Sequence, residues 1–124
     1  VSTTSTTFVT TGYAASITPK FSTSKILAIA CMPCYVNTSA ISKAAIYRGG
    51  SEICEGTTNA PSAGATGSMN ILSYLDSPAT TSALTYKVQY ANVNVGTGKN
   101  VAINNYNNVS GNTRSTITLM EIAG

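Results

Sequence analysis

Segment 84–90 alternates between apolar and polar side chains, and this pattern constrains the fold more than any other in the chain. Leu84, Tyr86, Val88 and Tyr90 occupy every second position, and polar or charged residues lie between them. Side chains of a strand point alternately to opposite faces, so a period of two predicts a strand with one buried and one solvated face. No segment shows a helical period of comparable strength, so an all-β protein is expected.

The most apolar stretch of the chain is segment 24–36, which is apolar on both faces. Its centre, Lys25–Met32, carries Ile, Leu, Ala and Cys without regular polar interruption. A buried helix fits this periodicity equally well, but Pro33 and the strand-turn pattern that follows favour a strand. A strand that is apolar on both faces is covered on both faces. In a small domain the second cover can be a neighbouring subunit.

Short β-patterns separated by turn residues run through the rest of the chain. The predicted strands are 8–11, 13–18, 41–48, 51–55, 69–75, a pair within 93–103, and 116–122. Gly49-Gly50 and Asp76-Ser77-Pro78 predict turns, whereas 57–67 and 104–112 predict loops because they are rich in Gly, Asn and small residues. Eight to ten short antiparallel strands with this spacing predict a jelly-roll β-sandwich over residues 8–124. Residues 1–7 are predicted to be a polar tether from a longer chain.

The composition favours a folded protein with little charge on its surface. Charged residues make up only 9% of the chain, against a typical quarter, while 43% of the residues are hydrophobic. Such a surface suits a protein that buries part of itself against copies of itself. The basic residues are scattered singly, so no nucleic-acid partner is expected. No apolar run approaches the roughly 20 residues of a spanning helix, so no membrane insertion is expected.

The residue types present give little support to enzymatic chemistry. The chain has no His, which rules out Ser-His-Asp and Cys-His arrangements. Glu52 and Glu55 are expected to be solvated and Asp76 to be a turn residue, so no catalytic carboxylate pair is predicted. Glu121 shares a strand face with apolar residues: if buried it needs Lys, Arg or backbone donors, and if exposed it is merely solvated. No enzyme and no cofactor are expected.

Cys31, Cys34 and Cys54 form an odd set that leaves several interpretations open. Cys31 and Cys34 match the C-x-x-C pattern of redox sites, but residues three apart on a regular strand point to opposite faces. A zinc site needs more ligands than a chain without His readily supplies. A disulfide from Cys31 or Cys34 to Cys54 is a further alternative. Buried or half-buried free thiols are the favoured interpretation.

Tyrosine and asparagine side chains in the predicted loops are the candidates for ligand binding. Most of the seven Tyr residues fit a structural role in strands. The predicted ligand contacts therefore lie in the two loops, at Tyr106, Asn107 and Asn108 and at Thr58 and Asn59, because loops carry function more often than strands do.

Two segments near the C-terminus resemble the C-terminal domains of tail-fibre and virion structural proteins of tailed bacteriophages. Residues 76–86 read D-x-P-x-T-T-S-A-x-T-Y, and residues 115–122 read S-x-I-T-L-M-E-I. The resemblance is clearest over 74–124 and looser over 6–50. It implies a homotrimeric jelly roll shaped like the tumour-necrosis-factor class, assembled in the bacterial host cytoplasm and carried on the virion with other virion proteins.

The resemblance implies two roles for such a trimer. The first is a receptor-binding head that adheres to a bacterial surface glycan or protein. The second is a capsid-decoration or fibre-capping trimer without a host ligand. In either role, the apolar residues of the last strand are expected at the three-fold axis or in the core beneath it: Ile117, Leu119, Met120 and Ile122.

Overall fold

A computed structural model of the chain describes residues 2–37, 39–59, 64–94, 99–104 and 114–124. These residues form nine strands and no helix. The strands are β1 (Ser2–Thr3), β2 (Val9–Ile17), β3 (Lys25–Asn37), β4 (Ile41–Arg48), β5 (Ser51–Asn59), β6 (Ala65–Asp76), β7 (Leu84–Asn92), β8 (Val101–Ile103) and β9 (Thr116–Ile122).

The strands form two antiparallel sheets that pack face to face. The five-stranded sheet has the order β1-β8-β3-β6. Strands β9 and β8 pair with the same edge of β3, β9 with residues 25–31 and β8 with residues 34–36. The four-stranded sheet has the order β2-β7-β4-β5. The predicted all-β sandwich is therefore confirmed.

The core between the sheets follows from strict alternation along β3 and β7. Every second residue of β3, from Ile26 to Val36, is buried toward the other sheet. Tyr86, Val88 and Tyr90 of β7 are also fully buried, which confirms the prediction from their period of two. Segment 24–36 is thus a strand at the centre of its sheet.

Several predicted boundaries differ from the structure. Residues 8–11 and 13–18 were expected as two strands, but Gly12 lies inside the single strand β2, where the register shifts between Thr10 and Ala14. Gly12 has a φ of 82°, which its missing Cβ permits, so the strand bulges rather than ends. Of the strand pair predicted within 93–103, the described residues form only β8, and residues 95–98 lie outside them. Ser2–Thr3, in the predicted tether, pair with β8.

The loop predicted at 57–67 is wrong at both of its ends. Strand β5 continues to Asn59 and β6 begins at Ala65, so both ends of this segment belong to strands, whereas residues 60–63 lie outside the described residues. The β-branched Thr57, Thr58 and Thr66 favour extended structure, and their pairing with β4 and β3 outweighs the loop-like composition.

A buried carboxylate links the two sheets at one end of the sandwich. Asp76, the last residue of β6, is only 6% exposed, so its environment differs from that of the turn residue expected from Ser77-Pro78. Nη1 of Arg48, on β4, lies 2.7 Å from its Oδ1 and 2.6 Å from its Oδ2. The hydroxyl of Tyr86, on β7, donates to Oδ2 at 2.6 Å. Burial, followed by the hydrogen bond to Asp76 and its charge, raises the pKa of Tyr86 above its usual range.

Replacement of Asp76 by Asn is expected to destabilise the fold by about 2–3 kcal/mol, because Arg48 and Tyr86 then face a neutral partner in a mostly buried site. The matched control is Glu55→Gln, which breaks the exposed Lys43–Glu55 pair (2.7 Å) and is expected to cost at most about 1 kcal/mol. Urea unfolding of both variants at one fixed protein concentration measures the difference. Equal costs would show that the link between the sheets contributes no more than a surface pair.

Candidate functional site

The predicted ligand contacts do not come together as an exposed loop cluster in the described part of the chain. Tyr106, Asn107 and Asn108 lie outside the described residues. Thr58 lies on β5, and its hydroxyl donates to the side-chain oxygen of Asn70 on β6. This hydrogen bond joins the two sheets, so Thr58 has a structural partner instead of the free loop position expected for it. Asn59 is the last residue of β5.

The terminal strand β9 divides its apolar side chains between its two faces. Ile117 and Leu119 are half-buried and pack against the core. Met120 and Ile122 point the other way and are each 44% exposed. The register places Met120 opposite Leu27 and Ile122 opposite Lys25. Ile117 and Leu119 thus belong to the core side of the sheet, and Met120 and Ile122 belong to its outer side.

The outer side of the five-stranded sheet carries a mainly apolar surface, here called the apolar face. Ile71 and Met69 of β6 are its most exposed members, at 63% and 53%. The register of β6 and β9 with β3 sets these side chains side by side. The apolar face consists of Leu27, Ile29, Cys31, Pro33 and Tyr35 of β3, Met69, Ile71 and Leu75 of β6, and Met120 and Ile122 of β9.

The apolar face is large and nearly uncharged. Three strands about 4.8 Å apart, over a stretch of about nine residues at about 3.3 Å per residue, give a footprint of roughly 400 Å². This area includes the exposed polar residues Ser73, Thr116 and Thr118. The charged residues of β3, β6 and β9 are Lys25, Asp76 and Glu121, and the last two lie at inward positions, opposite the buried Ile26. The largest exposed apolar patch of a protein, when it reaches this size, is often an interaction site.

The outer side of the four-stranded sheet is mainly polar, and it is here called the polar face. It contains the Lys43–Glu55 ion pair, and the hydroxyl of Tyr47 donates to Oε2 of Glu52 at 3.1 Å. The two outer faces of the sandwich therefore differ sharply in character. The outward side chains of the polar face, besides three alanines and Ile41, are Thr10, Ser16, Lys43, Tyr47, Glu52, Glu55, Thr57, Thr85, Lys87 and Gln89.

The three cysteines are free thiols in separate environments. Cys31 is half-buried on the apolar face, and Cys34 is 3% exposed on the opposite, core side of β3, as the spacing of three on a strand predicts. Cys54 lies on β5 and packs against the core. Burial raises the pKa of the Cys34 thiol, and burial followed by the Glu52 charge raises that of Cys54. Neither shift favours the thiolate that redox chemistry requires.

Glu121 fastens a turn to the end of the terminal strand. Its Oε1 accepts a hydrogen bond from the backbone N–H of Lys20 at 2.7 Å. The neighbouring Ser24 hydroxyl, followed by the backbone N–H groups of Lys20 and Phe21 and the Lys20 charge, lowers the pKa of the Glu121 carboxyl. Of the two environments expected for this residue, the one with backbone donors matches the structure.

Sequence reasoning missed the part of the apolar face that β6 contributes. Met69 and Ile71 were assigned to one face of a strand, but the sequence does not reveal that β6 pairs with β3 over twelve consecutive positions. The available signal was that both strands have apolar residues on two faces.

Among the described residues, no three His, Cys, Asp or Glu side chains lie close enough to share a metal ion. None of these residues belongs to a helix with the length and apolarity needed to cross a membrane.

No protein-family model matches the chain, and no curated protein matches it.

Replacement of Glu121 by Gln is expected to destabilise the fold at pH 7 and to have little effect in acid. The folded-state pKa is lower than the ordinary value of 4.5, so the carboxylate stabilises the fold above that value and its contribution is lost as the pH falls through the folded pKa. Urea unfolding of both proteins between pH 7 and pH 3 measures the difference. Lys20→Gln, which keeps the backbone donor, is the control and should retain most of the stabilisation. A difference that does not change with pH would contradict the assignment.

Proposed function

We propose that this protein is the self-associating, receptor-binding head of a bacteriophage tail fibre, which adheres to a bacterial surface glycan or protein. The observation that carries the self-association is the apolar face, because a sandwich with one apolar and one polar outer face is suited to bury the first against copies of itself and present the second. The receptor-binding role is supported by the resemblance of residues 74–124 to phage virion proteins. Weak individual sites then act together through their high effective concentration on one particle.

The strand order supports a jelly roll within the observed sandwich. Among the described residues, the chain crosses between the sheets at β1 to β2, β2 to β3, β3 to β4, β5 to β6, β6 to β7 and β7 to β8, and a hairpin joins only β4 and β5. Jelly rolls pair their strands in this alternating manner across two sheets. The resemblance of residues 74–124 to phage virion proteins supports the same architecture and a homotrimer.

The apolar face also supports the alternative role, a fibre-capping or capsid-decoration trimer without a host ligand. Self-association is common to both roles, so the face alone favours neither. Binding to cells separates them.

The variant Ile71→Glu is expected to convert the oligomer into monomers. Ile71 is 63% exposed in the single chain, so the charge is tolerated by the folded monomer but would be desolvated in the contact. The matched control is Thr57→Glu, which introduces the same charge at an exposed outward position of β5, an edge strand of the other sheet, and should leave the oligomer intact. Light scattering coupled to size-exclusion chromatography measures the mass. A wild-type protein that stays monomeric at tens of micromolar would refute self-association.

The oligomer is expected to adsorb to cells of a susceptible bacterium in a saturable manner. The Ile71→Glu monomer should adsorb at least about tenfold more weakly, since it loses the effective concentration that linked copies provide. Flow cytometry with fluorescently labelled protein on a panel of bacterial strains measures the adsorption. A stable oligomer that adsorbs to none of the strains, including the host of the parent phage, would favour the capping or decoration role.

A further inference from the structure

Association through the apolar face leaves the polar face turned away from the contact. The two faces lie on opposite sides of the sandwich, because each sheet turns its other side to the shared core. A ligand on the bacterial surface therefore contacts the polar face or the ends of the sandwich. This step rests on the proposed function.

An aromatic pair lies at the polar face, because Tyr47 belongs to this face and Phe8, which directly precedes β2, packs against it. The ring centroids of Phe8 and Tyr47 are 5.8 Å apart and the ring planes meet at 68°, an edge-to-face arrangement. Both residues are half-buried, so part of each remains open to solvent. Ala45, two positions before Tyr47 on the same face of β4, is fully buried, which makes the surface beside the rings shallow and closed.

Hydrogen-bonding groups of both kinds surround the aromatic pair. The Tyr47 hydroxyl donates to Glu52, and Lys87 of β7 lies directly opposite Tyr47 in the register. Gln89 and Glu55 each lie opposite Ala45, on the strands to either side of β4. Partial burial, followed by the hydrogen bond to Glu52, raises the pKa of Tyr47, so its hydroxyl remains protonated at neutral pH.

We propose that Phe8 and Tyr47, with Glu52, Lys87 and Gln89 around them, form a carbohydrate-binding site for a pyranose ring of a bacterial surface polysaccharide. The C–H side of a pyranose packs on an aromatic surface, and its hydroxyls both donate and accept hydrogen bonds. These are the two kinds of contact that this part of the polar face offers.

The same features favour a glycan over a protein receptor. The centre of a protein interface is apolar and depleted of charged residues. Here the two rings are set among polar and charged side chains, and charges of both signs, including the Lys43–Glu55 pair, share the face with them. The broad apolar surface that a protein partner requires is on the opposite side of the sandwich.

The test uses the wild-type oligomer and four single variants on a printed array of bacterial polysaccharides. Phe8→Ala and Tyr47→Ala are expected to reduce binding at least about tenfold, as the loss of a central aromatic contact does. Phe21→Ala is the matched control, because it removes an aromatic residue that is 57% exposed outside the strands and away from this pair. Circular dichroism and light scattering confirm the fold and mass of each variant. Tyr47→Phe, which keeps the ring and its packing, should retain more binding than Tyr47→Ala.

A second measurement separates the two receptor classes on whole cells that adsorb the protein. Periodate, which cleaves vicinal diols of sugars, should abolish adsorption, and protease treatment of the cells should not. The site is refuted if the Phe8 and Tyr47 variants bind as the wild type does, if no array polysaccharide is bound, or if protease alone abolishes adsorption. The last result leaves the proposed host-attachment role in place with a protein receptor, whereas failure to adsorb to any cells removes that role itself.

Discussion

The structure depends above all on the central strand β3, which is apolar on both of its faces and paired along both of its edges. One face supplies the row from Ile26 to Val36 to the core, and the other supplies Leu27, Ile29 and Cys31 to the surface. One of its edges pairs with β6, and the other pairs with β9 and β8. Because side chains alternate strictly, a core built on one face of β3 necessarily places the remaining apolar residues outside. The exposed apolar face is thus a direct consequence of this strand's sequence.

The distribution of charge follows the same division. Lys43, Glu52, Glu55 and Lys87 all lie on the outer side of the four-stranded sheet, while the matching side of the other sheet has Lys25 at its end. Asp76 and Glu121 are the acids at inward positions, and each has defined partners: Arg48 and Tyr86 for the first, backbone N–H groups for the second. A low total charge is therefore compatible with a folded protein because the few charges are placed where water or a partner solvates them.

The features that could be predicted from the sequence are those set by residues close together in the chain. Strand β9 begins and ends where its pattern indicates, and Tyr86, Val88 and Tyr90 are buried as their alternation predicts. The environment of Asp76 could not be predicted, because Arg48 is 28 residues away and the adjacent Ser77-Pro78 is typical of a turn. Thr58 was misplaced because its small and polar neighbours imitate a loop, whereas pairing with β4 extends the strand. The Phe8–Tyr47 contact likewise joins residues 39 positions apart, and no local pattern reveals it.

The edges of the two sheets give a further reason for association through the apolar face. Unpaired strand edges recruit other chains unless bulges or charges protect them. Strand β2 has an irregular register beside Gly12, and β5 carries Glu52 and Glu55. Strand β6 has an unbroken register with β3, and its charged residue, Asp76, points inward to Arg48. Its outward side chains belong to the apolar face. Burial of that face against other copies would therefore cover the outward side chains of the least protected of these three edge strands.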